Sequence, residues 1–301
     1  MIYVVGSSNT DMVVKSERLP GKGETVIGDK FLMNPGGKGA NQAVSAARVG
    51  GTVNFVCKVG NDLFGKQAIQ QFGIEKIHTG YITIDDVWSS GVALINVDAN
   101  GENCISVAPG ANNYLSKDDV SPALEQIGDE DILLIQLEIP LETVVFSVTE
   151  AARNNARIIL NPAPATTLPD HIYRNLFLIT PNETEAELLT GVKVTDEISA
   201  SEAADWLLTK GCENVIITLG SKGAFLRNKI EKRLIASPKV TAIDTTAAGD
   251  CFNGALAVAI SEGKDLVEAV SFACKAAALS VARMGAQGSL PTRHEVDAFQ
   301  S

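Results

Sequence analysis

The chain has no apolar run approaching the roughly 20 residues that a membrane helix needs, and Met1–Asp11 carries neither a basic leader nor a small-residue cleavage site. Both absences predict a cytoplasmic protein with no membrane partner. No basic stripe interrupts a chain of formal net charge −11, so the usual footprint of a nucleic-acid binder is missing. The same acidity means that any bound phosphate must be neutralised locally, by backbone amides, single cations or metal. No C-x-x-C pair occurs among the five cysteines, Cys57, Cys104, Cys212, Cys251 and Cys274. In a chain of 301 residues they read as reduced thiols, not as a disulfide framework or zinc site. His78, His171 and His294 lie too far apart to show metal-ligand spacing. Neither the Walker A loop nor the G-x-G-x-x-G dinucleotide fingerprint is present.

What is present is an alternation. Ile2–Val5, Val53–Val59, Asp131–Leu137, Arg157–Leu160, Leu176–Thr180 and Val215–Leu219 are apolar and mostly β-branched, as buried parallel strands are. Asn41–Val49, Leu63–Phe72, Leu141–Asn154, Glu183–Leu189 and Ser201–Lys210 are amphipathic. The order implies right-handed βαβ units and an α/β fold, with a mostly parallel central sheet and helices on both faces. Met12–Met33 and Gly91–Val107 break this rhythm with short alternating strands and Gly, Asn and Asp turns. They predict a small antiparallel sheet that can act as a lid, built on a single domain spanning residues 1–301. Gly249–Ile260 and Leu266–Val281 predict two alanine-rich helices that pack closely.

Four motifs carry candidate chemistry. Gly36-Gly37-Lys38-Gly39-Ala40-Asn41-Gln42 stands before a helix, where adjacent glycines let backbone approach a ligand. It reads equally as a left-handed turn. Asp244-Thr245-Thr246-Ala247-Ala248-Gly249-Asp250 precedes another helix, so its amides and the helix dipole suit an anion. Asp250 there is either a helix cap or a general base beside an anion hole. Asn182-Glu183-Thr184-Glu185 is a capping box, or a pair of groups near Mg²⁺, which prefers oxygen ligands and keeps its waters. Thr218-Leu219-Gly220-Ser221-Lys222-Gly223 is a plain turn or a phosphate-holding loop. Asn9, Asp11 and Glu138 follow strand ends, where open α/β sheets bind ligands.

Together these pieces resemble the ribokinase family of carbohydrate kinases, along nearly the whole chain. The resemblance is carried by Gly6-Ser7 with Asn9 and Asp11, GGKGANQA, QLE at Gln136–Glu138, NPAPA at Asn161–Ala165, TPNETEAE at Thr180–Glu187, TLGSKG, DTTAAGD and GAQGSLP at Gly285–Pro291. It implies an ATP-dependent sugar kinase. Asn9, Asp11, Gly37, Lys38, Gly39, Ala40, Asn41 and Glu138 would bind the sugar. Asp250 would be the base, with Ala248 and Gly249 amides as the anion hole. Asn182, Thr218, Leu219, Gly220, Ser221, Lys222 and Gly223 would contact ATP, together with Gly249, and Glu185 would position Mg²⁺ through water. A K⁺ ion would lie by Asp244 and Thr246, with backbone oxygens of Ser280, Arg283, Gly285 and Ser289. Lids of two copies would pair in a homodimer.

Asn9 with Asp11 and Glu138 resembles the ribose-binding pattern. A 2-deoxyribose, ketohexose or nucleoside kinase of the same family, or a catalytically silent sensor, stays open. Cys251 departs from the Thr, Ser or Ala usual there. Its place beside Asp250 at a helix start predicts a reactive thiol.

Overall fold

Strands that are apolar at every position need cover on both faces, and the sequence supplies several. In the computed structural model, which describes residues 1–299, the strands in chain order are β1 (Ile2–Val5), β2 (Asn9–Lys15), β3 (Lys30–Gly36), β4 (Val53–Gly60), β5 (His78–Asp85), β6 (Gly91–Val97), β7 (Asn103–Ala108), β8 (Ile132–Ile135), β9 (Arg157–Leu160), β10 (Leu178–Ile179), β11 (Asn214–Thr218), β12 (Ala224–Arg227) and β13 (Lys232–Ile235). The helices are α1 (Lys38–Arg48), α2 (Leu63–Ile74), α3 (Lys117–Leu124), α4 (Leu141–Arg153), α5 (Asp170–Tyr173), α6 (Glu183–Thr190), α7 (Glu197–Thr209), α8 (Ala248–Ser261), α9 (Leu266–Val281) and α10 (Arg293–Ala298).

Nine strands form the main sheet in the order β13-β12-β11-β10-β9-β8-β1-β4-β5. From β11 to β5 every neighbouring pair is parallel. Only β12 and β13, joined by a hairpin, run antiparallel at one edge. Strand residues alternate between two cores. Ile2, Val4, Ile132 and Leu134 pack with residues of α1, α8 and α9. Tyr3, Val5, Leu133 and Ile135 pack with residues of α3, α4 and α7 on the other face. Each such buried side chain is worth about 1.5–3 kcal/mol. The small residues of α8 let it close on α1. A Cβ at Gly254 would lie 2.6 Å from the Gln42 carbonyl oxygen.

The second sheet has four strands in the order β3-β2-β6-β7. Its two hairpins are antiparallel, but the inner strands β2 and β6 are parallel. The reason is topological: the chain leaves this sheet after β3, builds β4, α2 and β5, and only then returns. β10, Leu178–Ile179, is shorter than the expected Leu176–Thr180, and Pro181, which lacks an N–H, lies two residues beyond its end. β5 escaped sequence reading because its burial is mixed along the strand.

The carboxyl ends of β1, β8, β9, β10 and β11 deliver Ser7–Asn9, Gln136–Glu138, Asn161, Thr180–Asn182 and Gly220–Gly223 to one edge of the sheet. The chain runs away from β1 in both directions, which makes its carboxyl end a switch point where open α/β sheets form a crevice.

Candidate active site

The glycine-rich turn joins the small sheet to α1. Gly37 has φ 90°, a conformation that favours glycine, and no side chain caps α1. Gly36 is needed for a different reason: a Cβ there would meet the Asp11 carboxylate at 2.3–2.5 Å. Glu138 braces this turn. Its Oε2 accepts the Lys38 amide at 3.0 Å and the Ser7 hydroxyl at 2.6 Å.

α8 is preceded by Ala247, a non-glycine residue at φ 60°, ψ 14°, with no side-chain cap. Left-handed alanine is strained, and such strain collects at functional turns. The Asp250 cap reading is therefore not what the structure shows. Its side chain turns inward, 5% exposed, where Oδ2 accepts from Asn41 Nδ2 at 2.9 Å and Oδ1 from Gln42 Nε2 at 3.0 Å. The Ala248 amide donates to the Thr245 carbonyl at 3.2 Å. Among the described residues, the amides of Gly249 and Asp250 have no acceptor. The free donors are thus one residue further along the turn than the sequence suggested.

At α6 the capping-box reading is realised. Asn182 Oδ1 accepts the Glu185 amide at 2.8 Å and Glu185 Oε2 accepts the Asn182 amide at 2.9 Å. Glu185 Oε1 keeps no hydrogen-bond partner among the described residues. Both this carboxyl and Asp250 border a cleft of about 760 Å³, which is also lined by Lys38, Thr218, Gly220, Ser221, Gly223 and Gly249. Leu219 and Lys222 are not brought there. Leu219 is buried in a core, and Lys222 Nζ reaches the Thr195 carbonyl at 3.4 Å.

Four carboxylates and one ammonium share this edge. Burial raises Asp11 to about 6, with Glu138 and Asp250 adding repulsion. Burial also raises Asp250, against the pull of Lys38, Gln42 and Asn41. Glu185 is raised by burial in spite of the Asn182 amide and Lys38. Burial would lower Lys38, but Asp250, Glu138 and Glu185 outweigh it and hold its ammonium above the ordinary value.

Asp244 lies apart from this group. Its Oδ1 accepts the Thr246 amide and its Oδ2 the Gly285 amide, each at 2.9 Å. Burial would raise it, yet hydrogen bonds from Thr246 and Gly285 hold it below the usual carboxylate range. The Asp244 amide points at the Val281 carbonyl, 3.2 Å away. This places Asp244 at the carboxyl end of α9, near Ser280, Arg283 and Gly285. The hydroxyls of Ser280 and Ser289 donate to the Ala277 and Ala286 carbonyls.

The reactive-thiol expectation for Cys251 is overturned. The residue faces the α8 core, fully buried, and burial pushes its thiol up to about 12. Sequence reasoning also missed residues. Asn112, 1% exposed, donates to Asn9 Oδ1 at 2.8 Å, and that amide's nitrogen has no partner among the described residues. Pro238, Val240, Ala277, Ala278 and Val281 add an apolar wall to the cleft. Alanines on a helix carry no motif, and no sequence signal could have picked them out.

The match to the profile of the pfkB family carbohydrate kinases covers residues 1–293, and the chain belongs to that family. Among its relatives, the ribokinase of Haemophilus influenzae is 46% identical over 298 residues, covering 99% of this chain and 97% of the relative. The crystal structure of ribokinase from Thermotoga maritima superposes with a TM-score of 0.91 at 44% identity, covering 99% and 98% of the two chains. That of Arabidopsis thaliana ribokinase, complexed with ribose and ATP, gives 0.91 at 33% identity and 99% of each chain.

The raised Asp11 yields a stability prediction. Its carboxyl titrates near 3.8 when unfolded and about 6 when folded. The folded state holds the proton more tightly, so stability falls as pH rises through that window. Asp11→Asn removes the penalty. The variant should melt with the wild type near pH 4 and above it by pH 7–8, by roughly 2–3 kcal/mol. Equal melting curves at pH 8 would show that Asp11 is not strained.

Proposed function

We propose that this chain is an ATP-dependent ribokinase, which transfers the γ-phosphoryl group to the 5-hydroxyl of D-ribose and yields ribose 5-phosphate and ADP. The observation that carries this reading is Asp250. It is a buried carboxylate gripped on both oxygens, directly beside the free amides of an uncapped helix start. The names of the relatives and the ribose and ATP bound to the Arabidopsis thaliana enzyme support the substrates.

In this reading ribose lies between the small sheet and α1. Asn9, Asp11, Gly37, Lys38, Gly39, Ala40, Asn41 and Glu138 surround it. Asn41 Oδ1 is buried without a partner, as an atom awaiting a hydroxyl would be. ATP occupies the adjoining cleft, with its phosphates near Asn182, Thr218, Ser221 and the Gly220 and Gly223 backbone. Asp250 takes the proton of the attacking hydroxyl. The Gly249 amide, the helix dipole and Lys38 stabilise charge on the transferring oxygens. Closure of the lid excludes water, which competes for the phosphoryl group.

Mg²⁺ fits Glu185, whose spare Oε1 and raised pKa suit a carboxyl awaiting a hydrated cation. When bound, the ion neutralises phosphate charge. K⁺ fits Asp244, an ionised carboxylate among neutral oxygens, with Thr246 and the carbonyls of Ser280, Arg283, Gly285 and Ser289. When bound, it offsets negative charge next to the α8 turn. The five free thiols support a reducing compartment such as the cytoplasm.

One assay tests substrate and cation together. Coupled ADP release should favour ribose over 2-deoxyribose, because Asn9 and Asp11 are left unpaired when a hydroxyl is missing. It should also run faster in K⁺ than in Na⁺. Equal catalytic efficiency on the two sugars removes the ribose assignment, and indifference to the cation removes the K⁺ site.

A homodimer through the lid is part of the proposal. Phe31, Met33, Leu94, Ile105 and Val107 are 46–61% exposed on the small sheet, and open sheet edges invite pairing. Light scattering should give twice the monomer mass; a monomer at working concentration rules the dimer out.

The base is tested by Asp250→Asn, which keeps size and removes basicity. Turnover should fall on the order of 10²–10⁴-fold, while ribose and ATP binding change little. A folded variant that keeps more than about a tenth of wild-type turnover ends the assignment.

A further inference from the structure

We infer that Gln42, itself held by Gln136, is a positioning residue that fixes the Asp250 carboxylate in its reactive orientation. The inference rests on the reading of Asp250 as the base. The residues around Gln42 form one continuous buried chain. Gln136 Nε2 donates to Gln42 Oε1 at 2.6 Å. Gln42 Nε2 donates to Asp250 Oδ1 and to Asn161 Oδ1, each at 3.0 Å. Asn161 Nδ2 donates to the Thr180 carbonyl at 3.2 Å. The Thr180 hydroxyl donates to Asn253 Oδ1 at 2.6 Å, and Asn253 Nδ2 to the Gly249 carbonyl at 2.8 Å. The chain therefore begins at the base and ends on the residue whose amide is free at the start of α8.

Gln42, Gln136, Thr180 and Asn253 are at most 1% exposed and Asn161 6%. Gln136, Asn161 and Thr180 each directly follow β8, β9 and β10, so the parallel strands set their spacing. The orientation of Gln42 follows from chemistry. A carboxylate has no hydrogen to give, so Gln42 must turn its nitrogen to Asp250. That leaves Oε1 facing away, where only a donor satisfies it, and Gln136 supplies one. Packing alone does not call for this arrangement. Apolar side chains fill a core at least as well as a buried polar chain does, and Gln136 Oε1 remains without a partner. Asn41 and Gln42, successive residues of α1, hold the two oxygens of Asp250 from separate donors. The carboxylate cannot rotate without breaking one of them. Lys38, Glu138, Glu185 and Asp11 also act on Asp250 from α1, the β8 end, α6 and β2, and none of them is altered by changing Gln42.

The test compares the full-length enzyme with Gln42→Met and Gln42→Glu, by ADP release at saturating ribose and ATP between pH 5 and 9. Gln42→Met should lower kcat about 10- to 100-fold, with both KM values within about threefold. Its acid limb of kcat should move up by roughly one unit, because a donor to the charged form is gone. Gln42→Glu is isosteric and places a second carboxyl beside Asp250, so its limb should move further in the same direction. Gln136→Met should do less, in the same sense. A folded Gln42 variant with a wild-type acid limb overturns the inference, whatever its rate. If the Gln42 variants fail to fold, Gln136→Met decides in the same way. If none of the three folds, the chain is a folding element and the inference is wrong. Asp250→Asn is measured alongside. If it stays active, the base reading itself fails, independently of any result at Gln42.

Discussion

Burial at this edge of the molecule disfavours the charged form of one carboxyl, Asp250, and the contacts around it act against that cost. Asp250 is raised by burial and pulled back by Lys38, Gln42 and Asn41. Each of the three comes from α1, and α1 reaches Asp250 only because α8 packs against it at Gly254. α1 in turn is placed by the Gly37 turn and by Glu138, which holds the Lys38 amide. Weakening any of these contacts removes support for the charged form, so the carboxyl is pushed further up.

The same constraint explains the balance of charge. Glu138, Glu185 and Asp250 act on the Lys38 ammonium, and Asp11 adds a fourth carboxyl beside Glu138 and Asp250. The chain as a whole carries −11. The nucleotide triphosphate of the proposed function would bring further negative charge to this edge. Besides Lys38 and Lys239 at the cleft, the protein offers dipoles: the uncapped turn of α8 presents the amides of Gly249 and Asp250. Dipoles fixed in the fold need no reorganisation when charge develops. What remains uncompensated fits the divalent ion proposed at Glu185 and the monovalent ion proposed at Asp244.

Much of this was legible in the sequence, and the reasons are specific. Ile2–Val5 and Arg157–Leu160 were legible to the residue because a strand buried on both faces has no polar interruption. Leu266–Val281 was legible because apolar residues, several of them alanine, dominate it, with only Glu268 and Lys275 charged. The Asp250 motif could be seen, but not its direction. Whether an Asp at a helix start caps the helix or turns inward depends on Asn41 and Gln42, more than 200 residues away in the chain. Asn112 was invisible for the same reason, since it meets Asn9 across 103 residues. Cys251 was misread because neighbouring charge was visible in the sequence and burial was not.

Asn182 and Glu185 show why a structural reading and a functional one need not compete. The capping box is formed, with both hydrogen bonds in place. Those bonds satisfy two amides of α6, and they also fix one carboxylate oxygen while leaving the other free beside the cleft. A Glu on a flexible loop would lose side-chain entropy on meeting a metal. Here helix formation has already immobilised it. α8 follows the opposite course. No side chain caps it, so orphan amides remain where an anion can use them. One helix start is completed by its own side chains and the other is left open, and the cleft lies between them.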